Sequence, residues 1–198
     1  MILAVIPPSE HVHWWFATGV LVVGLCLLGQ AIVGEEVWNR RPWRRYLWPT
    51  VLFLMGLLMW PVMVFFTNSA IHTIAHGVWA EVAMLTGAAH LGLASGKLRS
   101  GLWRLTLPLA FFVSGTAFLV HEQNPWLFSR SAFIHHACGW LLIVGAVFPL
   151  GMSLRPRFAL YRAGLALTIV ALAVVLYTAR DVAPVFGHLS PEAGASHR

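Results

Sequence analysis

Six apolar segments, each about as long as a membrane span, dominate the 198-residue sequence. A helix needs about 20 predominantly apolar residues to cross the hydrocarbon core of a bilayer. Only 10% of the residues are charged, against about 25% in soluble domains. The sequence therefore predicts an all-α polytopic membrane protein, a bundle of six transmembrane helices. The predicted spans are 13–33, 46–66, 70–94, 105–120, 132–152 and 163–177.

The basic residues divide unevenly between the two sides of this predicted bundle. Ten of the thirteen Lys and Arg residues lie in the loops that follow the first, third and fifth spans. Short loops rich in Lys and Arg stay on the cytoplasmic side of a membrane. Both termini are therefore expected on the outer side, and a bacterial inner membrane is the expected location. The net charge of +6 then reflects orientation, so a nucleic-acid partner is not expected.

Two terminal segments lie outside the predicted spans. The N-terminal residues MILAVIPP contain neither a basic region nor a small-residue cleavage site, so no removable signal peptide is expected. Segment 180–198 is rich in Pro, Gly and Ser. It is expected to form a flexible tail on the outer side, after a transmembrane domain of residues 1–179.

Most of the histidines fall at the outer ends of the predicted spans. His72 and His76 begin the third span, and as an i, i+4 pair they share one helix face. Imidazole binds zinc, copper, iron and nickel. The sequence therefore predicts a metal site near the outer face, built from spans three, four and five. The candidate ligands are His72, His76, His121, His135 and His136, with Glu122 as an oxygen ligand or an orienting group.

The His135–His136 pair adds a restriction to this metal site. Adjacent helical residues diverge by about 100°, so only one of the two is expected to be a ligand. The alternative interpretation is that the outer histidines are interfacial polar caps at helix ends, with no bound metal.

A row of methionines favours copper as the metal. Met55, Met59 and Met63 follow one another at i, i+4 steps toward the outer face. Thioethers are soft ligands that suit Cu(I), and Cys138 lies about one turn from His135. The leading hypothesis is copper binding or transport, with Met59 and Met63 as further ligands. Methionine is also an ordinary filler of apolar helices, which is the alternative interpretation of this row.

The third span also allows a haem. His76 and His90 share one helix face and lie about 21 Å apart along the axis. Ala83 and Gly87 on that face would leave room for a flat macrocycle. The second hypothesis is therefore a b-type cytochrome subunit in electron transfer, with two histidines as axial ligands. Its candidate haem-binding residues are His76, His90, His121 and His135.

Other functions have less support in the sequence. It contains no G-x-S-x-G elbow, phosphate loop or H-E-x-x-H motif, so an enzymatic function is not favoured, although it stays open. Glu81 lies within the third span, where an ionisable group is expensive and is expected to face the bundle interior. A third hypothesis is a structural subunit of a larger membrane complex. The expected partners are the lipid bilayer and a metal ion or redox partner at the outer face.

Two fragments, IHTIAHGVW and FIHHACGWLLIVG, resemble the histidine-rich helix starts of copper-resistance D (CopD) type membrane proteins. The resemblance covers about two of the six predicted helices. It implies copper handling at the outer face of a bacterial inner membrane. The matching positions are His72, His76, His135 and His136.

Overall fold

The computed structural model describes residues 9–66, 70–120, 129–155 and 158–179, which form helices joined by short turns. The helices are α1 Ser9–Val33, α2 Glu35–Asn39, α3 Leu47–Phe66, α4 Ala70–Ala94, α5 Thr106–Val120, α6 Ser129–Gly145, α7 Val147–Leu154 and α8 Ala159–Tyr177. Short 3₁₀ turns, Pro42–Tyr46 and Gly101–Leu105, lead into α3 and α5. The predicted outer tail, as well as His121 and Glu122, lies outside the described residues.

Five stretches of these helices are long and apolar enough to cross a membrane. They are His11–Val33, Pro42–Met63, Gly101–Val120, Phe133–Leu154 and Ala159–Tyr177. By helix length and hydropathy the chain is a multi-pass membrane protein. Helix α4 has 25 residues, but its histidines, threonines and Glu81 lower its mean hydropathy below that of the other five. The bounds of α4 agree with the predicted third span.

The predicted fifth span, 132–152, is interrupted about two thirds of the way along it. Helix α6 ends at Gly145 and α7 begins at Val147, with Ala146 between them. Pro149 has no N–H group, and in an unbroken helix its ring would clash with the carbonyl four residues earlier, which is that of Gly145. At the break, the amide of Ala146 donates to two carbonyl oxygens of the preceding turn, those of Leu142 and Ile143. Together α6 and α7 still form one membrane-length stretch.

The six long helices form a closed ring. In order around the ring, α1 contacts α3, α3 contacts α4, α4 contacts α5, α5 contacts α6, α6 contacts α8, and α8 returns to α1. One end of the bundle, which we call the histidine end, contains the first residues of α1, α4 and α6. It also contains the last residues of α3, α5 and α8. The opposite end, with Pro42–Tyr46 and Gly101–Leu105, is called the basic end.

Aromatic and charged contacts organise the basic end. The guanidinium of Arg44 lies over the rings of Trp38 and Trp43, at 5.2 and 5.8 Å from their centroids. Arg162 in the first turn of α8 forms an ion pair with Glu35 of α2 at 3.2 Å. These aromatic and basic side chains are typical of a membrane–water interface.

Glycines allow neighbouring helices to approach with their backbones. A Cβ added at Gly87 of α4 would lie only 2.7 Å from the amide nitrogen of Phe53 and 2.8 Å from the carbonyl oxygen of Pro49, both in α3. At Gly56 of α3 an added Cβ would meet the carbonyl oxygen of Ala80 at 2.5 Å. Small residues at such contacts let membrane helices pack closely in lipid.

We expect Gly87→Ala to lower the free energy of unfolding by about 1–3 kcal/mol, because the new methyl group overpacks a contact whose atoms belong to the backbone. Gly101→Ala is the matched control, since a Cβ added there meets nothing within 4 Å. Thermal unfolding of the two purified variants measures the difference. Equal midpoints for Gly87→Ala and the unsubstituted protein would contradict the close approach of α3 and α4.

The expectation that Glu81 faces the bundle interior is wrong. Its side chain is exposed on the outer surface of α4, on the same helix face as Ile74 and Leu85, which are 66% and 65% exposed. The neighbouring residue Ala80 is instead fully buried. Helix α4 turns its His76–Ala80–Ala83 face inward, and Glu81 therefore points away from the bundle.

We expect Glu81→Leu to stabilise the protein in a bilayer. An acidic side chain at a helix centre opposes membrane insertion by about 2.5–3.5 kcal/mol, and leucine removes this term. Thermal unfolding in lipid nanodiscs is the measurement, with a higher midpoint as the expected result. Leu85→Glu, on the same exposed face, is the control and should lower the midpoint. A lower midpoint for Glu81→Leu would mean that the carboxyl group makes a stabilising contact in the membrane.

Candidate metal site

A cavity of about 200 Å³ lies at the centre of the helix ring. All six long helices contribute to its wall, which consists mostly of aliphatic and aromatic side chains. The side chains with donor or acceptor groups that line it are His13, Trp48, His76, Trp79, Thr86, Ser114 and His135. No Asp, Glu, Lys or Arg is among the described residues that line the cavity.

Three histidines from three helices line the cavity near the histidine end. His13 lies near the start of α1, His76 in the second turn of α4 and His135 in the second turn of α6. The ring centroids of His13 and His135 are 6.5 Å apart, and the two ring planes are nearly perpendicular. The His76 side chain is buried, with 4% of its surface exposed. The fold therefore places three imidazoles that are far apart in the sequence along the wall of one cavity.

Two aromatic side chains connect these imidazoles. The ring of His76 contacts Trp79 edge-on at 4.8 Å, Trp79 contacts Phe118 at 4.3 Å, and Phe118 contacts His135 at 5.7 Å. The indole N–H of Trp79 donates to the carbonyl oxygen of Ser114 at 3.4 Å. These contacts hold the imidazoles by packing against aromatic rings. Within the described residues, no three His, Cys, Asp or Glu side chains are close enough to hold one metal ion.

Two thioethers line the cavity between its two ends. Met55 and Met59 of α3 both contribute to the wall. The sulfur of Met55 lies against α1, since a Cβ added at Gly19 would be 2.5 Å from it. Met63, the third methionine of the row, is buried, at 2% exposure, and is not one of the lining residues. Helix α3 thus presents two of its three methionines to the cavity.

The predicted ligands are only partly brought together. His76, His135 and Met59 line the cavity. His136 is exposed while His135 faces the interior, as expected from the 100° between adjacent residues. The backbone of His72 lies in the first turn of α4. The side chain of His72, like His121 and Glu122, lies outside the described part of the chain.

His90 lies near the basic end of the bundle and is not one of the residues that line the cavity. Its ring packs on Trp48, with centroids 4.7 Å apart, and Trp48 lines the cavity whereas His90 does not. The Nε2 atom of His90 is buried and has no hydrogen-bond partner among the described residues. The expectation that Gly87 leaves room for a macrocycle is wrong, because the α3 backbone at Pro49 and Phe53 fills that space, whereas Ala83 lines the cavity.

The sequence prediction of the site omitted two residues that the fold places in it. His13 is the first residue of the predicted first span but was not included in the site, because nothing local shows that the fold brings its ring within 6.5 Å of His135. The sequence did contain one indication that His13 faces the interior, because it lies on the same helix face as Phe16 and Val20. Met55 belongs to the recognised methionine row, but only the fold shows that it lines the cavity whereas Met63 does not.

Comparison of the chain with protein-family models, with curated proteins and with solved structures gives no match. The geometry of the cavity is therefore the basis for the function proposed below.

Proposed function

We propose that this protein binds copper, as Cu(I), in the central cavity and passes it across a bacterial inner membrane. In this proposal the six long helices all span the bilayer, both termini are on the periplasmic side, and the histidine end faces the periplasm. The observation that carries the proposal is the shared location of three imidazoles and two thioethers, from four helices, in one apolar cavity. Imidazole and thioether together suit Cu(I) better than hard ions, which take oxygen ligands.

The charge of the ion favours Cu(I) over divalent metals. Moving an ion from water to an apolar cavity is expensive, and the Born term of this free energy rises with the square of the charge. A divalent ion in such a cavity usually has carboxylate or thiolate ligands to balance it. The described lining contains neither, so a monovalent ion with neutral ligands is the better fit.

The copper proposal predicts that His76→Ala combined with His135→Ala loses the bound metal. The cavity then lacks two of the three imidazoles that line it, and the thioethers of Met55 and Met59 and the ring of His13 are the soft donors that remain. The protein is purified after anaerobic loading with Cu(I), and metal analysis measures its copper content. We expect about one copper per chain in the unsubstituted protein and a background level in the double variant. His11→Ala is the control, because His11 packs on Trp14 at 5.0 Å and does not line the cavity. A wild-type protein that retains no copper would overturn the proposal.

The position of the ion is tested separately by filling the cavity. Ala83 lines the wall and is not a ligand, so Ala83→Phe occupies the space without removing an imidazole or a thioether. We expect at least a tenfold loss of Cu(I) affinity in a competition titration with a Cu(I) chelator. Ala88→Phe on the exposed surface of the same helix is the matched control. Unchanged affinity in Ala83→Phe would place the copper outside the cavity.

A b-type haem is the second candidate, because His76 and His135 present imidazoles from different helices to one apolar interior. The cavity of about 200 Å³ is smaller than the roughly 300–1,000 Å³ of most small-molecule sites. A haem would thus require the helix ring to open, and copper would not. Absorption spectra of the oxidised and the dithionite-reduced protein separate the two. A Soret band with sharp α and β bands in the reduced protein would show that the protein binds haem, and it would overturn the copper proposal.

A further inference from the structure

The turn that joins α2 to α3 at the basic end carries four arginines within six residues. They are Arg40, Arg41, Arg44 and Arg45, and we call them the arginine cluster. Within the described part of the chain, no carboxylate forms an ion pair with any of them. Glu35 of α2 pairs with Arg162 of α8 instead, and Glu36 is exposed. The turn therefore carries a concentrated positive charge that no internal ion pair balances among these residues.

Contacts with the helix bundle hold this turn in place. The indole N–H of Trp38 donates to the carbonyl oxygen of Arg44 at 3.3 Å. The Trp38 ring lies against α1, since a Cβ added at Gly29 would be 2.9 Å from it. The hydroxyl of Tyr46 donates to the carbonyl oxygen of the last residue of α4 at 3.4 Å. The arginine cluster is thus part of a turn that is anchored on two helices.

The arginine cluster lies where the chain enters the membrane. The membrane-length stretch that contains α3 begins at Pro42, so Arg44 and Arg45 are among its first residues. Apolar side chains are exposed beside them: Trp43 is 56% exposed and Val37 is 44% exposed. Tryptophan at such a position is typical of the headgroup level of a bilayer. The turn therefore offers guanidinium groups and exposed apolar surface at the same level.

This combination fits an anionic phospholipid. The guanidinium group of arginine binds phosphate oxygens through two parallel hydrogen bonds. Clusters of four or more basic residues next to a membrane-spanning helix attract anionic lipids. A zwitterionic lipid has a phosphate too, but its own ammonium group cancels the charge. A soluble anion would use the arginines and leave the exposed Trp43 and Val37 without a partner.

We infer that the arginine cluster is a binding site for an anionic phospholipid. The guanidinium groups bind the phosphate of the headgroup, and the acyl chains lie on the exposed apolar side chains of Val37 and Trp43. No bond is formed or broken. The inference does not rest on the proposed function, because it requires neither the cavity nor a bound ion.

The test is a titration of the full-length protein, purified in detergent and depleted of lipid, with phosphatidylglycerol or phosphatidylcholine. Native mass spectrometry counts the bound lipids. We expect phosphatidylglycerol to bind at least about tenfold more tightly than phosphatidylcholine. Arg40→Gln combined with Arg41→Gln should remove most of this difference. Inorganic phosphate at equal concentration should not displace the lipid, because it lacks the acyl chains.

Two further variants separate a built site from surface charge. Lys97→Gln combined with Arg99→Gln is the matched control: it removes the same charge from the exposed connection between α4 and α5, and it should bind phosphatidylglycerol as the unsubstituted protein does. Trp38→Leu keeps every charge but removes the hydrogen bond to Arg44, and it should weaken binding.

Three results would overturn the inference. They are equal affinity for the two lipids, equal losses in the two double glutamine variants, and displacement of the lipid by inorganic phosphate. Should the variant at Arg40 and Arg41 elute as an aggregate, Arg40→Lys combined with Arg41→Lys keeps both charges and removes only the planar guanidinium groups. Part of the affinity should then be lost, and unchanged affinity would also count against the site.

Discussion

The rest of this structure depends on the lack of water in the hydrocarbon core of a bilayer. Backbone N–H and C=O groups must find their partners within the chain there, so each apolar segment becomes a helix. Apolar side chains gain little by leaving lipid, and close van der Waals contact therefore holds the helices together. Gly56 and Gly87 allow this contact between α3 and α4, and the facing Gly115 and Gly139 allow it between α5 and α6.

Closure of the helix ring by α8 against α1 creates a protected interior. The wall of this interior is apolar along most of its length, and the imidazoles of His13, His76 and His135 are at one end of it. Far from water, an ion in the cavity would depend on its ligands to replace the lost hydration. The same exclusion of water makes the Nε2 of His90 costly, because this buried atom has no hydrogen-bond partner among the described residues.

Much of the fold follows from local features of the sequence. Apolar segment length and the charged loops between the segments predicted α4 to its first and last residue, and the other long helices to within a few residues at most ends. The break at Ala146 was missed because the effect of Pro149 on a long apolar segment depends on how the helix is packed. The placement of Glu81 was also predicted wrongly. Helical periodicity separates it from Ala80, but periodicity alone does not say which of the two faces is buried.

The sequence by itself determined that this chain forms membrane-length helices, and which residue types stand near each helix end. These properties depend on hydrophobicity, charge and backbone hydrogen bonding within one segment. Only the tertiary structure decided that His13 stands beside His135, that Met55 and Met59 face the cavity, and that Trp48 lies between the cavity and His90. The reason is that the lateral order of helices in a ring depends on contacts between segments distant in the sequence. Those contacts require shape complementarity, which no single segment contains.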